Sequence, residues 1–450
     1  MQPKWPPPGQ PELFRSALVN LVDRRHPLVR LAGLIEWDRF ATAFGPLYRE
    51  DVGRPGLPIR LMVGLHLIKH MDGLSDDAVC ARFLDSPYVQ FFCGETHFQH
   101  ALPLDRSSMT RWRKRIGAEQ LELLLAETLA AAQRAGAAEP KHFQRVTIDT
   151  TVQPKAVTHP TDSKLIHRGV EILGRLARRH GVALRQSYTR VSTHARREVA
   201  RLIHRGRHRE AERKVTRMRT WLGRLARDIA RKVAGVAEAV REAFAAPLER
   251  IAQLLLQRRE DRGREKIYAL HAPEVECIGK GKARARFEFG CKVSLATTNR
   301  PAPGGQFVIG ARSLPGNPFD GHTLAAQTER ITGVAIERAY VDRGYRGHDA
   351  DKARVFVSGQ KRGVTPTIRR EIRRRAGIEP VIGRMKDDGH LGRNFLAAAT
   401  GDATNVTLAA AGHNLRVLRA WIIRLLAFLI SLLAISTNPA PVRATQLTMR

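Results

Sequence analysis

Three residues near the C-terminal end, Arg375, Glu379 and Lys386, have the types and spacing to act together. They lie in EIRRRAGIEPVIGRMKDDGHLGRNFL, residues 371–396. Taken as a helix, this stretch puts them on nearby turns, because offsets of four and seven residues are close to one and two turns. A carboxylate with a cation on either side along one helical face can hold a metal ion while the cations meet phosphate. Pro380 is tolerated if a new helix starts there, since a first-turn proline gives up an N–H that lacks an intrahelical partner anyway. Two aspartates upstream extend the constellation. Asp149 sits in RVTIDTTV and Asp342 in AIERAYVDRGYRGH, both apolar, β-branched runs that read as buried strands. Aspartate is depleted in strands. Two such exceptions, answered by a carboxylate on a later helix, indicate a site. Asp387, Asp388, Glu274 and Glu276 are rival carboxylates, but none has flanking cations at this spacing.

The order Asp149, Asp342, Glu379, with R-x3-E-x6-K across Arg375, Glu379 and Lys386, resembles the DDE transposases of bacterial insertion sequences, and within them the insertion-sequence-five family. The stretches GRPGLPIRLMVGLHLIKH, VCARFLDSPYVQFFCGETHFQH, DRSSMTRWRKRIG, DTTVQPKAVTHPTDSKL, HAPEVECIGKGKARARFEFGCKVSLATT and MKDDGHLGRNF carry the same resemblance, which spans roughly residues 10–420. One departure stands at Ile372, where the family commonly has tyrosine. The resemblance implies a ribonuclease-H-like catalytic domain and two Mg²⁺ ions per site, for which Mn²⁺ would substitute. Asp149 would bridge both ions, with Asp342 and Glu379 holding one each. Arg375 and Lys386 would contact DNA phosphates, and Arg343 and Arg346 beside Asp342 could do the same. In-line cutting of a phosphodiester needs an activated water or 3′-hydroxyl and a stabilised leaving oxygen, which two divalent ions can provide.

The elements that must position these residues follow from periodicity. Residues 1–15 are proline-rich and read as a loose arm, and residues 16–136 read as helices. Leu61, Met62, Leu65 and Leu67 form an apolar stripe, and Ser75 is a plausible N-cap. Short helices ending in RWRKR suit a helix-turn-helix-like module. Its cations Arg111, Arg113, Lys114 and Arg115 either contact the element's ends or form a solvated helix face, and periodicity alone does not separate the two. A first strand at 145–153 opens the catalytic domain, residues 140–437. Residues 161–262 then read as a basic helical insertion. Within 161–260 there are 25 Lys+Arg and 10 Asp+Glu on sequences that keep a helical apolar stripe. Its basic face would track a DNA backbone, or it is a spacer with solvated charges. Trp221 reads as a core residue.

From 265 onward the period becomes two: KIYAL, RARFEFGCKVSLATT and GQFVIGARSL read as strands. FDGHTLAAQTERIT reads as a helix, AIERAYVDRG and ARVFVSG as strands, and the helix of Glu379 follows. Periodicity by itself gives an α/β fold, with a mixed sheet preceded by an all-α DNA-binding domain once the resemblance is added. The apolar run 425–435 is too short to span a bilayer, and residues 438–450 read as a disordered tail.

Composition narrows the partners. The chain has 76 Lys+Arg against 43 Asp+Glu, a formal charge of +33 and a pI near 11.2. Such an excess calls for a polyanion, so double-stranded DNA is the expected partner. No lipidation signal or basic amphipathic terminus points to a membrane surface. Four cysteines without a C-x-x-C pair suggest a reducing cytoplasm, and the family resemblance implies association with the nucleoid. Cys80, Cys93, His97 and His100 match no common zinc spacing. The expected activity is binding of terminal inverted repeats, metal-dependent cleavage and strand transfer, by a homodimer or higher assembly holding both ends. Alternatives are a non-catalytic relic or repressor, and a nuclease without joining. A covalent route through Tyr340 or Tyr345 would leave the carboxylates unexplained.

Overall fold

The computed structural model describes residues 16–48, 56–258, 260–261, 266–279, 286–329 and 334–437, with backbone only over 432–437. The expected arm 1–15 and tail 438–450 lie outside these residues. Eight described helices come first: α1 Leu18–Leu21, α2 Pro27–Leu34, α3 Trp37–Phe44, α4 Ile59–Asp72, α5 Asp76–Asp85, α6 Pro87–Phe92, α7 Ser107–Arg113 and α8 Ala118–Arg134. The Ser75 hydroxyl caps α5 by accepting from the Ala78 N–H at 3.0 Å. The expected stripe on α4 is instead buried nearly all round: eleven of its fourteen residues are inside, including Gly64, His66 and His70. A helix apolar on every side belongs in the middle of a core.

That core is shared. Leu61, Leu65 and Ile68 of α4 and Leu121, Leu124 and Leu129 of α8 form one cluster with Val146, Ile148, Ala296, Ala339 and Val341 of the sheet. Leu408, Ala411, Leu415 and Leu418 of the last helix join it. The N-terminal helices therefore cover one face of the sheet rather than standing apart as a module.

The strands are β1 Arg145–Pro154, β2 Glu276–Gly279, β3 Phe287–Thr298, β4 Val308–Leu314, β5 Arg338–Val341 and β6 Arg354–Val357. They form one mixed sheet ordered β4–β3–β1–β5–β6, with β2 pairing the other end of the β3 edge that carries β4. β3 runs antiparallel to β1 and β4, whereas β1, β5 and β6 are mutually parallel. The expected KIYAL strand is absent; residues 266–270 are loop and turn.

Between β1 and β2 the chain leaves the sheet as four helices, α9 Asp162–Arg179, α10 Thr189–His204, α11 His208–Val233 and α12 Glu238–Leu256. They enclose their own core, with Val170, Leu173, Val199, Met218, Leu222, Ile229 and Ile251 at its centre. Trp221 is half-buried beside it, stacked on Tyr188 with ring centroids 6.2 Å apart. The remaining helices are α13 Leu324–Glu329, α14 Pro366–Arg374, α15 Ile378–Asp387 and α16 Ala398–Thr437. Among the described residues no helix is long and apolar enough to cross a membrane. Ile423, Phe428, Leu429 and Ile430 near the end of α16 are nonetheless exposed.

Candidate active site

Strand register brings the two aspartates together. β1 and β5 pair in parallel with Thr147 opposite Tyr340. Two residues further along each strand direction lie Asp149 and Asp342, at the same level on the same face. Asp342 is one residue past β5, where its Oδ1 accepts the Gly344 N–H at 2.8 Å and caps the turn Arg343–Tyr345. The Asp149 Oδ1 accepts the N–H of Thr150 at 2.8 Å.

α14 and α15 cover this face. Glu371 of α14 is buried and anchors the helix to the strands. It accepts from Arg145 at 2.9 Å and Arg338 at 3.0 Å, and the Tyr340 hydroxyl donates to it. Asn299 adds bonds to the Glu371 carbonyl and the Thr147 hydroxyl, each 3.0 Å. Ile378 and Val381 of α15 pack on Val293 and Leu295 of β3, and Leu295 lies opposite Asp149. The expected single helix over 371–396 is thus two, joined by a tight turn at Arg375–Gly377, with Pro380 in the first turn of the second.

That turn points Arg375 inward, its Nη1 3.7 Å from the Asp149 Oδ2. Glu371, one turn before Arg375, is taken up by Arg145, Arg338 and Tyr340 instead. Burial, and then the neighbouring Asp342 charge, push the Asp149 carboxyl up to about 6, against the lowering pull of the Thr150 N–H and Arg375. The Asp149 and Asp342 charges thus act on each other, with the Arg375 guanidinium beside Asp149. Such an all-oxygen pair suits a hard divalent cation, which commonly takes one or two carboxylates and completes its shell with water and phosphate.

Glu379 is not drawn into this pair. It is exposed in the first turn of α15, and among the described residues no three His, Cys, Asp or Glu side chains converge on one ion-sized point. Lys386 lines a broad cleft of about 1200 Å³ between the end of α4 and the end of α15, with Arg82, Arg393 and Arg419. Arg343 and Arg346 are exposed on the turn after Asp342.

The cations of the RWRKR run divide by helix geometry. Arg111, Lys114 and Arg115 are exposed, whereas Trp112 and Arg113 turn inward. Arg113 grips Asp76 at 2.6 and 3.0 Å and donates to the Nε2 of His66 at 3.2 Å. The Nδ1 of His66 donates to the Met62 carbonyl, 2.8 Å, which leaves Nε2 as the acceptor. Arg113 is therefore part of the helical core, not of a basic surface, because a half-buried carboxylate 37 positions earlier claims it.

Tyr340 and Tyr345 are both fully buried, and burial holds both phenols well above their ordinary value. Neither is presented to a substrate.

One residue at this site escaped the sequence reading. Asp320 opens the short turn Asp320–Thr323 before α13, and its Oδ1 accepts from Thr150 at 3.1 Å and from Lys292 at 2.7 Å. An aspartate before glycine reads as an ordinary turn residue. The available signal was Lys292, a charged residue in the middle of a largely buried strand.

Residues 16–115 match the family described as Transposase domain (DUF772). An uncharacterized protein from Rhizobium meliloti, ORF8 in the nfe locus, is 50% identical over 204 residues, which are 45% of this chain and 98% of the relative. No solved structure matches the chain.

Proposed function

This chain belongs to the family of the Rhizobium meliloti protein and carries a transposase domain, and from that premise we propose that it is a DDE transposase of an insertion sequence of the insertion-sequence-five type. The observation that carries the reading is the placement of Asp149 and Asp342 at one level on adjacent parallel strands, with Arg375 turned in beside them. The sheet order β4–β3–β1–β5–β6, three antiparallel strands continued by two parallel ones, supports a ribonuclease-H-like catalytic domain.

In this reading Asp149 and Asp342 hold Mg²⁺, or Mn²⁺ in its place, and Glu379 swings in from the first turn of α15 as the third ligand when DNA is bound. The bound ions supply activation of the attacking water or 3′-hydroxyl and stabilisation of the leaving oxygen. Arg375 sits beside Asp149, where a scissile phosphate would need a counter-charge. Lys386 in its cleft, and Arg343 and Arg346 on the turn after Asp342, would be further phosphate contacts. Arg111, Lys114 and Arg115 on and after α7, and the basic helices α9–α12, would bind duplex DNA through its backbone. A homodimer or larger assembly would hold two element ends together.

The test is Mg²⁺-dependent cleavage and joining of DNA carrying the element's own ends. Wild type is compared with Asp149→Ala, Asp342→Ala and Glu379→Ala. The expected result is cutting and joining by wild type, with each variant binding DNA and doing neither. Binding without cutting by wild type would favour a relic or repressor, and cutting without joining a nuclease. Normal cutting by Glu379→Ala would remove that residue from the site.

A further inference from the structure

Thr150 follows Asp149 on β1, so its side chain projects from the opposite face of the sheet. On that face its hydroxyl donates to the Asp320 Oδ1 at 3.1 Å. Lys292 of β3 lies 2.7 Å from the same oxygen and also donates to the Pro318 carbonyl at 2.8 Å. The turn bearing Asp320 is itself fixed: the Thr323 hydroxyl donates to the Asp320 carbonyl, 2.7 Å, and the Asp349 N–H to the Gly321 carbonyl, 3.2 Å. The second oxygen of Asp320 lies near Gly344, in the turn that Asp342 caps. A Cβ placed on Gly344 would lie 3.0 Å from the Asp342 Oδ1 and 3.2 Å from the Asp320 Oδ2. Asp320 thus reaches the strand position next to Asp149 with one oxygen and the turn capped by Asp342 with the other. Lys292 pairs with it and offsets part of its charge.

We propose that Asp320 is a positioning residue for the divalent-metal site, holding the Asp149 segment of β1 in place beside Asp342. Like-charged carboxylates push apart, and ligands of a metal must be held to within about half an ångström by supporting contacts. Thr150, the next residue to Asp149 on β1, transmits the restraint to it. The inference rests on the metal-dependent function proposed above.

The experiment is calorimetric titration of the full chain with Mn²⁺ alone, without DNA, beside Mg²⁺-dependent cleavage of element-end DNA. Asp320→Ala is expected to weaken Mn²⁺ binding about 10-fold or more, the size typical of losing a supporting contact. It should also raise the Mg²⁺ concentration giving half-maximal cleavage, leaving metal-free DNA binding unchanged. Asp320→Asn keeps an oxygen for Thr150 and should recover part of the loss. Mn²⁺ affinity within twofold of wild type in Asp320→Ala would overturn the proposal, even if melting temperature fell. Should Asp320→Ala fail to fold, Thr150→Val removes only the hydrogen bond, and unchanged Mn²⁺ affinity there would overturn it equally. Failure of the underlying reading looks different: wild type itself would bind no Mn²⁺, or Asp149→Ala would bind it as wild type does.

Discussion

Asp149 is the residue at which charge and burial conflict most directly. Its carboxyl, pushed up to about 6, is harder to ionise in the folded chain than in the unfolded one, where the ordinary value is 3.8. The stability this favours is fully present below pH 3.8 and is lost as pH rises through about 6. Asp149→Asn removes the conflict. Without divalent ions it should be more stable than wild type at pH 7.5 by on the order of 2–3 kcal/mol. The difference should shrink towards zero as pH falls to the ordinary aspartate range, and urea midpoints at the two ends of the range measure it. Adding Mn²⁺ should raise the midpoint of wild type but not of the variant. At this scale the sequence was informative where a residue contradicted its surroundings, as an aspartate does in a β-branched run. It was silent on Asp320, whose turn context is ordinary and whose partners, Thr150 and Lys292, are distant in the chain.

Elements were legible wherever their period was strong, and misread where a partner far along the chain decides which side faces inward. The helices of 161–262 and the strands around Asp149 and Asp342 follow from local pattern. The inward turn of Arg113 does not, because it depends on Asp76, Lys69 and His66. Arg113→Ala would leave a partly buried Asp76 with Lys69 alone. Breaking a buried pair typically costs 3–5 kcal/mol, and the remaining lysine moderates this to about 2–3 kcal/mol. The expected outcome is a lower urea midpoint with no change in the salt dependence of DNA binding. Lys114→Ala, one residue on and exposed, should do the reverse, reducing the slope of log affinity against log salt by about 0.9 and leaving stability unchanged. Measuring both variants separates the core contribution of this run from its surface contribution.

Across the whole molecule the dominant quantity is charge. The excess of +33 is concentrated in part on the helical insertion, whose apolar stripes close on one another and leave arginines outside. Arg224, Arg227 and Arg231 share one face of α11 and, with Arg185 and Tyr188, line a cavity of about 300 Å³. Like charges at helical spacing repel, and Asp228 between them is shared by Lys232 at 3.0 Å and Arg231 at 3.9 Å. Duplex DNA would relieve that repulsion. Replacing Arg224 and Arg227 together with alanine should lower the salt slope by about 2 and weaken binding similarly for every sequence. An unchanged slope would mean that the insertion stands away from the duplex. Composition made a polyanionic partner legible from the start. It did not show that the insertion has its own core while the N-terminal helices share theirs with the sheet, because such contacts join residues hundreds of positions apart.

The shared core has a consequence for how the protein is made. α4 ends at Asp72, and its flank is covered by α16, where Gly412 lies so close that a Cβ would collide with the His70 carbonyl. At roughly 5–20 residues per second, the ribosome takes on the order of tens of seconds to pass from one to the other. Through that interval the first helices are complete in sequence but uncovered, whereas α9–α12 already contain everything needed to close their own core. The middle of the chain can therefore fold before its beginning, and the beginning waits for the end.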